Sequence, residues 1–306
     1  MLFHLRMNNS PTKLLRNLFV AVCKFFPTER GKFSILQRVY FRYFSSTDQE
    51  TRVARIRFGA RMRLDPNEFL QAHILLFGSY ELPTVRFIRR LLRDGDTVFD
   101  IGAQIGYLTL MSKLARKGVT VWSFEPEKTN AIKLRENLSL NNFDMTHVVE
   151  KAVSNVSGSI RLYLSKDHNA GTHSTIPNES TIDVTRFVDL PAIRLDDFAK
   201  EQGISKLALI KIDVEGGELE VIEGAREVLH TLQPVVIAEL SDAIQESRGS
   251  TTQEFKRILL DLGYLPFRIQ NDGRLTEVPV EAGHLMDNIA FVPQAKLDTY
   301  AKLIHA

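Results

Sequence analysis

A single cysteine, Cys23, in 306 residues excludes an intramolecular disulfide and a cysteine-based zinc site, and it suits a reducing compartment. Long apolar runs are missing too: no stretch approaches the roughly 20 apolar residues that cross a bilayer. Internal repeats and low-complexity tracts are absent, so solenoid and disordered-linker architectures fall away. What remains is a soluble globular composition, 44% apolar and 25% charged, in a chain long enough for a full α/β core plus one extra segment.

Negative charge is scarce at the start. Residues 1–63 hold thirteen Lys and Arg against three Asp and Glu, a balance of +10, whereas the remainder carries −8. A basic segment on an acidic body favours an anionic lipid surface, nucleic acid or an acidic partner, and charge alone does not choose among them. Within it, Ser10 and Pro11 open a helix whose Leu14, Leu15, Leu18, Phe19, Val22, Phe25 and Phe26 share one side until Pro27 stops it. Such a face fits docking on protein first and a membrane interface second. Lys24 breaks the run and no small-x-small cleavage site follows, which argues against a secretory signal. Residues 28–63 interleave Tyr40, Phe41, Tyr43 and Phe44 with Arg38 and Arg42, a composition nucleic-acid binders share. With no nucleic-acid motif beside it, the expectation is an amphipathic helix with solvated or paired arginines.

From residue 64 onward the pattern alternates. Strands are predicted near 97–102, 120–125, 146–152, 207–213, 234–240, 265–270 and 288–293. Helices are predicted over Pro83–Leu92, Thr109–Arg116, Glu127–Asn141, Asp196–Glu201, Glu218–Leu232 and Thr252–Leu262. That order makes a mostly parallel sheet covered on both faces. Leu164–Val184, with His168 and His173, reads as a polar excursion of the kind that forms substrate loops.

The most informative stretch is Val98–Gly106, where an apolar strand meets small residues and then a helix. A nucleotide-like ligand sits at such a turn, because glycine lets it approach the backbone. Glu125 ends the next strand, nineteen residues beyond Gly106, where a carboxylate accepts from both hydroxyls of a ribose. A dinucleotide fingerprint would need glycine at 104 and glycine or alanine at 107, but the chain has Gln104 and Tyr107. The remaining reading is the S-adenosylmethionine site of a class I methyltransferase, with Asp100, Gly102, Gln104, Gly106 and Glu125 around the cofactor.

Asp100-Ile-Gly-Ala-Gln-Ile-Gly106, Phe124-Glu125-Pro126, Asn137, Leu195-Asp-Asp-Phe198 and Lys211-Ile-Asp213-Val-Glu215-Gly216-Gly-Glu218 stand in an order that resembles the successive motifs of the FkbM-type methyltransferases. The resemblance spans roughly residues 64–295, laid out on a doubly wound strand order. That family usually has Asn where this chain has Gln104. The resemblance implies a Rossmann-like class I methyltransferase fold, a seven-stranded mostly parallel sheet with helices on both faces, preceded here by a basic N-terminal helical segment. It implies an extension over 1–63 and a catalytic domain over 64–306. It also implies O-methylation of a hydroxyl on a sugar, glycan, lipid or secondary metabolite, and gives Asn137 a place at the cofactor.

Asp213 closes an apolar strand, where an uncompensated carboxylate costs several kcal/mol if desolvated, so it needs a partner. Lys211, two residues earlier on the same face, supplies one, and an architectural pair stands beside a catalytic reading. In the catalytic reading Asp213 orients an acceptor hydroxyl or takes its proton, with Lys211, His168 and His173 as the other bases. Glu239, at the next strand end, would join Asp213 at a divalent cation such as magnesium, but two carboxylates without a clear third ligand make a weak site argument, so a divalent metal is open but not the favoured reading. Gly216 and Gly217 are read as a turn, Gly224 as a close packing contact, and Asn141 and Asn142 as a helix stop.

Two rivals belong to other classes. A scaffold would bind the cofactor without turnover, although the retained motif residues argue for chemistry. A nucleic-acid methyltransferase would use the basic segment, but the chain lacks an Asn-Pro-Pro-Tyr motif and a catalytic cysteine pair. The expected setting is the cytoplasm, with the N-terminal segment able to reach an anionic membrane surface.

Overall fold

The computed structural model describes residues 18–23, 31–43, 51–145, 147–165, 182–214, 216–247, 249–283 and 287–304. Its contacts group the chain into two compact units, Met1–Leu82 and Pro83–Ala306.

In the first unit, residues 18–23 and 32–43 are helical, and an antiparallel hairpin pairs β1 (Arg52–Arg55) with β2 (Arg61–Leu64). Helix α1 (Phe69–Phe77) follows. The Glu68 carboxylate caps it by accepting from Leu70 and Gln71 N–H, and Gly78 ends it at φ 72°. Cys23, Leu36, Tyr40, Ala72, Leu76 and Phe77 form the core, with Phe19 and Val20 packed against it. Two expectations change here. The N-terminal helix turns Phe19, Val20 and Cys23 inward and leaves Leu18 and Val22 exposed, so its buried stripe is rotated from the one predicted; the rest of that helix lies outside the described residues. Residues 28–63 are not one amphipathic helix. Alternation along β2, with Met62 and Leu64 buried and Arg61 and Arg63 exposed, needs only four residues, too few to stand out among arginines.

The second unit is built on β3 (Thr97–Ile101), β4 (Thr120–Phe124), β5 (Val148–Val149), β6 (Ala152–Val153), β7 (Gly158–Ser165), β8 (Ile182–Ile193), β9 (Leu209–Ile212), β10 (Val235–Leu240), β11 (Tyr264–Ile269), β12 (Leu275–Glu277) and β13 (Asp287–Pro293). Its helices are α2 (Leu82–Leu91), α3 (Tyr107–Lys113), α4 (Lys128–Leu140), α5 (Leu195–Glu201), α6 (Glu218–Glu223), α7 (Arg226–Leu232), α8 (Asp242–Ser247) and α9 (Thr252–Asp261). The main sheet runs β12-β11-β13-β10-β9-β3-β4-β5. Strands β5, β4, β3, β9 and β10 are parallel, and β13 runs antiparallel between β10 and β11. This is an α/β fold with a mixed, mostly parallel sheet. The expected seven strands are all present, and the short β12 adds an eighth at one edge.

Side-chain alternation sends each strand into two cores. Phe99, Ile101, Phe124, Ile210, Ile212, Val236 and Ala238 pack with residues of α5, α6, α7 and α9. Val98, Val121, Leu209, Val235 and Ile237 pack with Phe87, Ile88 and Leu91 of α2. Apolar residues on both faces are what a parallel strand covered twice requires, as in β9, buried throughout with Lys211 as its charged exception.

Three elements depart from the sequence reading. The strand predicted over 146–152 splits, because β6 leaves the main sheet for a three-stranded one ordered β6-β8-β7. The hairpin β7–β8 takes both ends of the predicted polar excursion, whose residues 166–181 lie outside the described set. The helix predicted over Glu218–Leu232 breaks into α6 and α7. There the Gly224 carbonyl accepts from Asp196 N–H at 3.0 Å, and a Cβ on Gly224 would lie 2.1 Å from the Ser154 carbonyl oxygen.

Candidate functional site

The carboxyl ends of the parallel strands bring the candidate residues to one edge, the place where open α/β sheets bind ligands. After β3 the chain makes a tight turn. Gly102 and Ala103 N–H both donate to the Phe124 carbonyl at 3.0 Å, and Gly106 N–H donates to the Ala103 carbonyl at 2.8 Å. Gly102 (φ 79°) and Gly106 (φ 85°) occupy the left-handed region, and so does Gln104 (φ 47°), which is uncommon for a residue with a side chain. The glycines are required by the protein's own packing. A Cβ on Gly102 would stand 1.8 Å from the Asp213 carbonyl oxygen, and one on Gly106 would stand 2.9 Å from Leu134 of α4. Buried Asn137, also on α4, donates from Nδ2 to the Ile105 carbonyl at 2.9 Å, so it braces the turn from behind.

Glu125 follows β4. Its Oε2 accepts from Gln104 N–H at 2.8 Å and its Oε1 from Glu127 N–H at 2.9 Å. Burial pushes its carboxyl up to about 7, against the opposing pull of the Glu127 and Gln104 amides and the Asn130 side chain. Its two oxygens offer about four acceptor positions, and what the two amides and Asn130 leave is open to a further donor. Such a carboxylate fits the two hydroxyls of a ribose, beside a turn that keeps backbone close to any ligand at the strand edge.

Asp100 is placed deeper. Its Oδ2 accepts from the Thr109 hydroxyl at 2.5 Å, and Thr109 meets Ser123 at 2.9 Å, all buried. Across the sheet Asp100 stands in register between Ser123 on β4 and Lys211 on β9, so a polar row runs beneath the turn. Thr109 and Ser123 escaped the sequence reading, since a hydroxyl on an apolar helix or strand has no periodic signature.

Asp213 follows β9. Its N–H donates to the Ile101 carbonyl at 3.0 Å, which fixes its backbone to the end of β3. Lys211 Nζ lies 3.6 Å from Asp213 Oδ2 and donates to the Ile212 carbonyl at 3.2 Å. The lysine side chain is 1% exposed and the aspartate side chain 18%, so the pair is buried at one end and open at the other. Glu239 presents a carboxylate oxygen within 4.8 Å of one on Asp213. Asp100, Gly102, Gln104, Gly106, Glu125, Asn137, Lys211 and Asp213 therefore gather around the ends of β3, β4 and β9, whereas His168 and His173 lie outside the described residues.

The methyltransferase FkbM domain model matches residues 100–266, more than half of the chain. The 31-O-demethyl-FK506 methyltransferase FkbM of Streptomyces tacrolimicus is 30% identical over 176 residues, covering 49% of this chain and 67% of that protein. The hexuronic acid methyltransferase AglP of Haloferax volcanii is 25% identical over 201 residues, covering 63% of this chain and 78% of the relative. A crystal structure of a methyltransferase FkbM from Methylobacillus flagellatus is 18% identical with a TM-score of 0.44, covering 70% of this chain and 48% of that one.

Proposed function

The chain belongs to the FkbM family of S-adenosylmethionine-dependent methyltransferases, and from that premise we propose that it O-methylates a hydroxyl of a sugar, glycan, lipid or secondary metabolite. The observation that carries the reading is Asp213. Its backbone is joined to β3 and abuts Gly102, while its carboxylate stays partly open at the strand edge. One residue thus spans the cofactor turn and the place where an acceptor would enter. The relatives' names support a hydroxyl acceptor, since one acts on 31-O-demethyl-FK506 and another on a hexuronic acid.

Bound S-adenosylmethionine supplies a sulfonium methyl group open to in-line displacement. Glu125 and the Gly102–Gly106 turn would hold its ribose, and Asn137 keeps that turn in place through Ile105. Asp213 would accept a hydrogen bond from the acceptor hydroxyl and take its proton, leaving the oxygen free to receive the methyl group. Lys211 orients the Asp213 carboxylate from inside the fold. Alignment of oxygen, methyl and sulfur supplies much of the acceleration, so the residues that fix Asp213 count as much as its basicity.

The test is incubation with methyl-labelled S-adenosylmethionine and fractionated cell extract, followed by identification of the labelled fraction. Label in a hydroxyl-bearing small molecule or glycan supports the reading, and label in nucleic acid overturns it. With that fraction as acceptor, Asp213→Asn is expected to lower turnover by about 10² or more, the lower end of general-base effects. An architectural Lys211–Asp213 pair predicts instead a lower melting temperature and near-normal turnover per folded molecule. Near-normal turnover would overturn the catalytic reading of Asp213.

A further inference from the structure

The turn that carries Asp213 is gripped at Gly216 by two buried polar residues, and we propose that Gln245, acting through Glu218, is a positioning residue for Asp213. The proposal rests on the role given to Asp213 above. Gln245 sits on α8, beyond the end of β10, and is 1% exposed; Glu218 opens α6 and is 3% exposed. Glu218 Oε1 accepts from Gly216 N–H at 3.0 Å, and its Oε2 accepts from Gln245 Nε2 at 2.6 Å. The same Nε2 donates to the Gly216 carbonyl at 3.2 Å. Both backbone groups of Gly216 are thereby used. Ser250 Oγ donates to Gln245 Oε1, and the Glu218 carboxylate, which only accepts, keeps the amide nitrogen turned toward it.

Gly216 stands three residues after Asp213 at φ 99°, a conformation open to glycine at little cost, so the hydrogen bonds around it are what hold it in place. The turn is pinned twice: at Asp213 by the Ile101 carbonyl, and at Gly216 by the Glu218–Gln245 clasp. The Asp213 carbonyl fills the space where Gly102 lacks a side chain and the Asp213 N–H is held by the Ile101 carbonyl, so movement at Gly216 falls chiefly on the Asp213 carboxylate. Glu218 is no ordinary helix cap. Its carboxylate reaches back to a residue outside α6, and a buried network of this kind fixes one arrangement because an unmade bond within it costs a full desolvation penalty. In-line transfer is sensitive to such placement: a shift of about 1 Å can cost about 10²-fold in rate.

The test compares Gln245→Glu, which sets a carboxylate against Glu218, with the exchanged pair Glu218→Gln/Gln245→Glu, which restores the 218–245 bond with donor and acceptor reversed. Ser250→Ala is the milder third variant, removing the hydroxyl bonds to the Gln245 side chain and carbonyl, and it serves if Gln245→Glu does not fold. Each is measured by calorimetric affinity for S-adenosylhomocysteine, by hydrogen exchange at the 214–217 amides, and by turnover on the acceptor fraction the wild type labels. Gln245→Glu is expected to speed Gly216 amide exchange at least tenfold and to lower kcat by about 10–100-fold, with cofactor KM within about threefold. The exchanged pair should recover the part of both losses that the 218–245 bond carries, while the Gly216 carbonyl stays without its donor, and Ser250→Ala should show a smaller change in the same direction. Wild-type exchange and wild-type kcat per folded molecule in Gln245→Glu, or in Ser250→Ala, would overturn the proposal. Failure of the methyltransferase reading would show separately, as absent S-adenosylhomocysteine binding by the wild type, and the exchange measurement would still decide the clasp.

Discussion

Glu125 concentrates the opposing forces at the site. Burial raises its carboxyl to about 7, while two backbone amides favour the ionised form. Ribose hydroxyls donate, so they select the carboxylate, and affinity for S-adenosylhomocysteine is expected to fall as pH drops from 8 to 6. Calorimetry across that range checks this, and Glu125→Gln should flatten the dependence. Glu125→Ala should weaken binding by about 1.5–3 kcal/mol, the scale of hydrogen bonds to charged groups; unchanged affinity in the folded variant would remove Glu125 from the cofactor site. Stability responds with the opposite sign. The folded-state value lies above the ordinary carboxylate range, so the Glu125 contribution is fully present below about 4.5 and is lost as pH rises through about 7. The same residue therefore favours binding where it disfavours the empty fold.

Elements at this site end where another part of the chain claims their backbone. Helix α4 stops as its sequence indicates, with Asn141 at its cap and Asn142 in the left-handed region at φ 56°. The break between α6 and α7 has no such local signature, because Gly224 is in an ordinary helical φ and its carbonyl is diverted to Asp196 N–H. Gly224→Ala sets two effects against each other. Alanine gains about 1 kcal/mol of helix propensity, but its Cβ would stand 2.1 Å from the Ser154 carbonyl, a backbone atom tied into the β6–β8 pairing region through Ser154 N–H to Ile193. The overlap should win, with a net loss of about 1–3 kcal/mol, the usual cost of overpacking. Denaturant titration gives the number, and an unchanged or raised midpoint would show that the 152–154 segment yields. Legibility follows the same division: a cap is written in neighbouring residues, whereas a diverted carbonyl depends on a partner 28 positions away.

At the scale of the whole molecule, the residues proposed for cofactor and acceptor all belong to Pro83–Ala306, which has its own two-faced core. A fragment of residues 83–306 is therefore expected to fold and to bind S-adenosylhomocysteine within about threefold of the full chain, a difference under 1 kcal/mol. Loss of binding by a folded fragment would assign part of the site to Met1–Leu82. Among the described residues no helix is long and apolar enough to cross a membrane, and the +10 balance of residues 1–63 makes retention on anionic vesicles the property to compare between full chain and fragment. By itself the sequence determined the strand-and-helix alternation, the glycine turn after β3 and the carboxylates ending β4 and β9, because hydrophobic period and small residues at a strand end are local signals. Only the tertiary structure decided that Asp100 turns into a buried row with Thr109 and Ser123, that Gly102 is glycine because Asp213 lies against it, and that Gln245 reaches Gly216. Those pairings join residues 9 to 111 positions apart, and their energies arise from desolvation and contact that exist only once the sheet is closed.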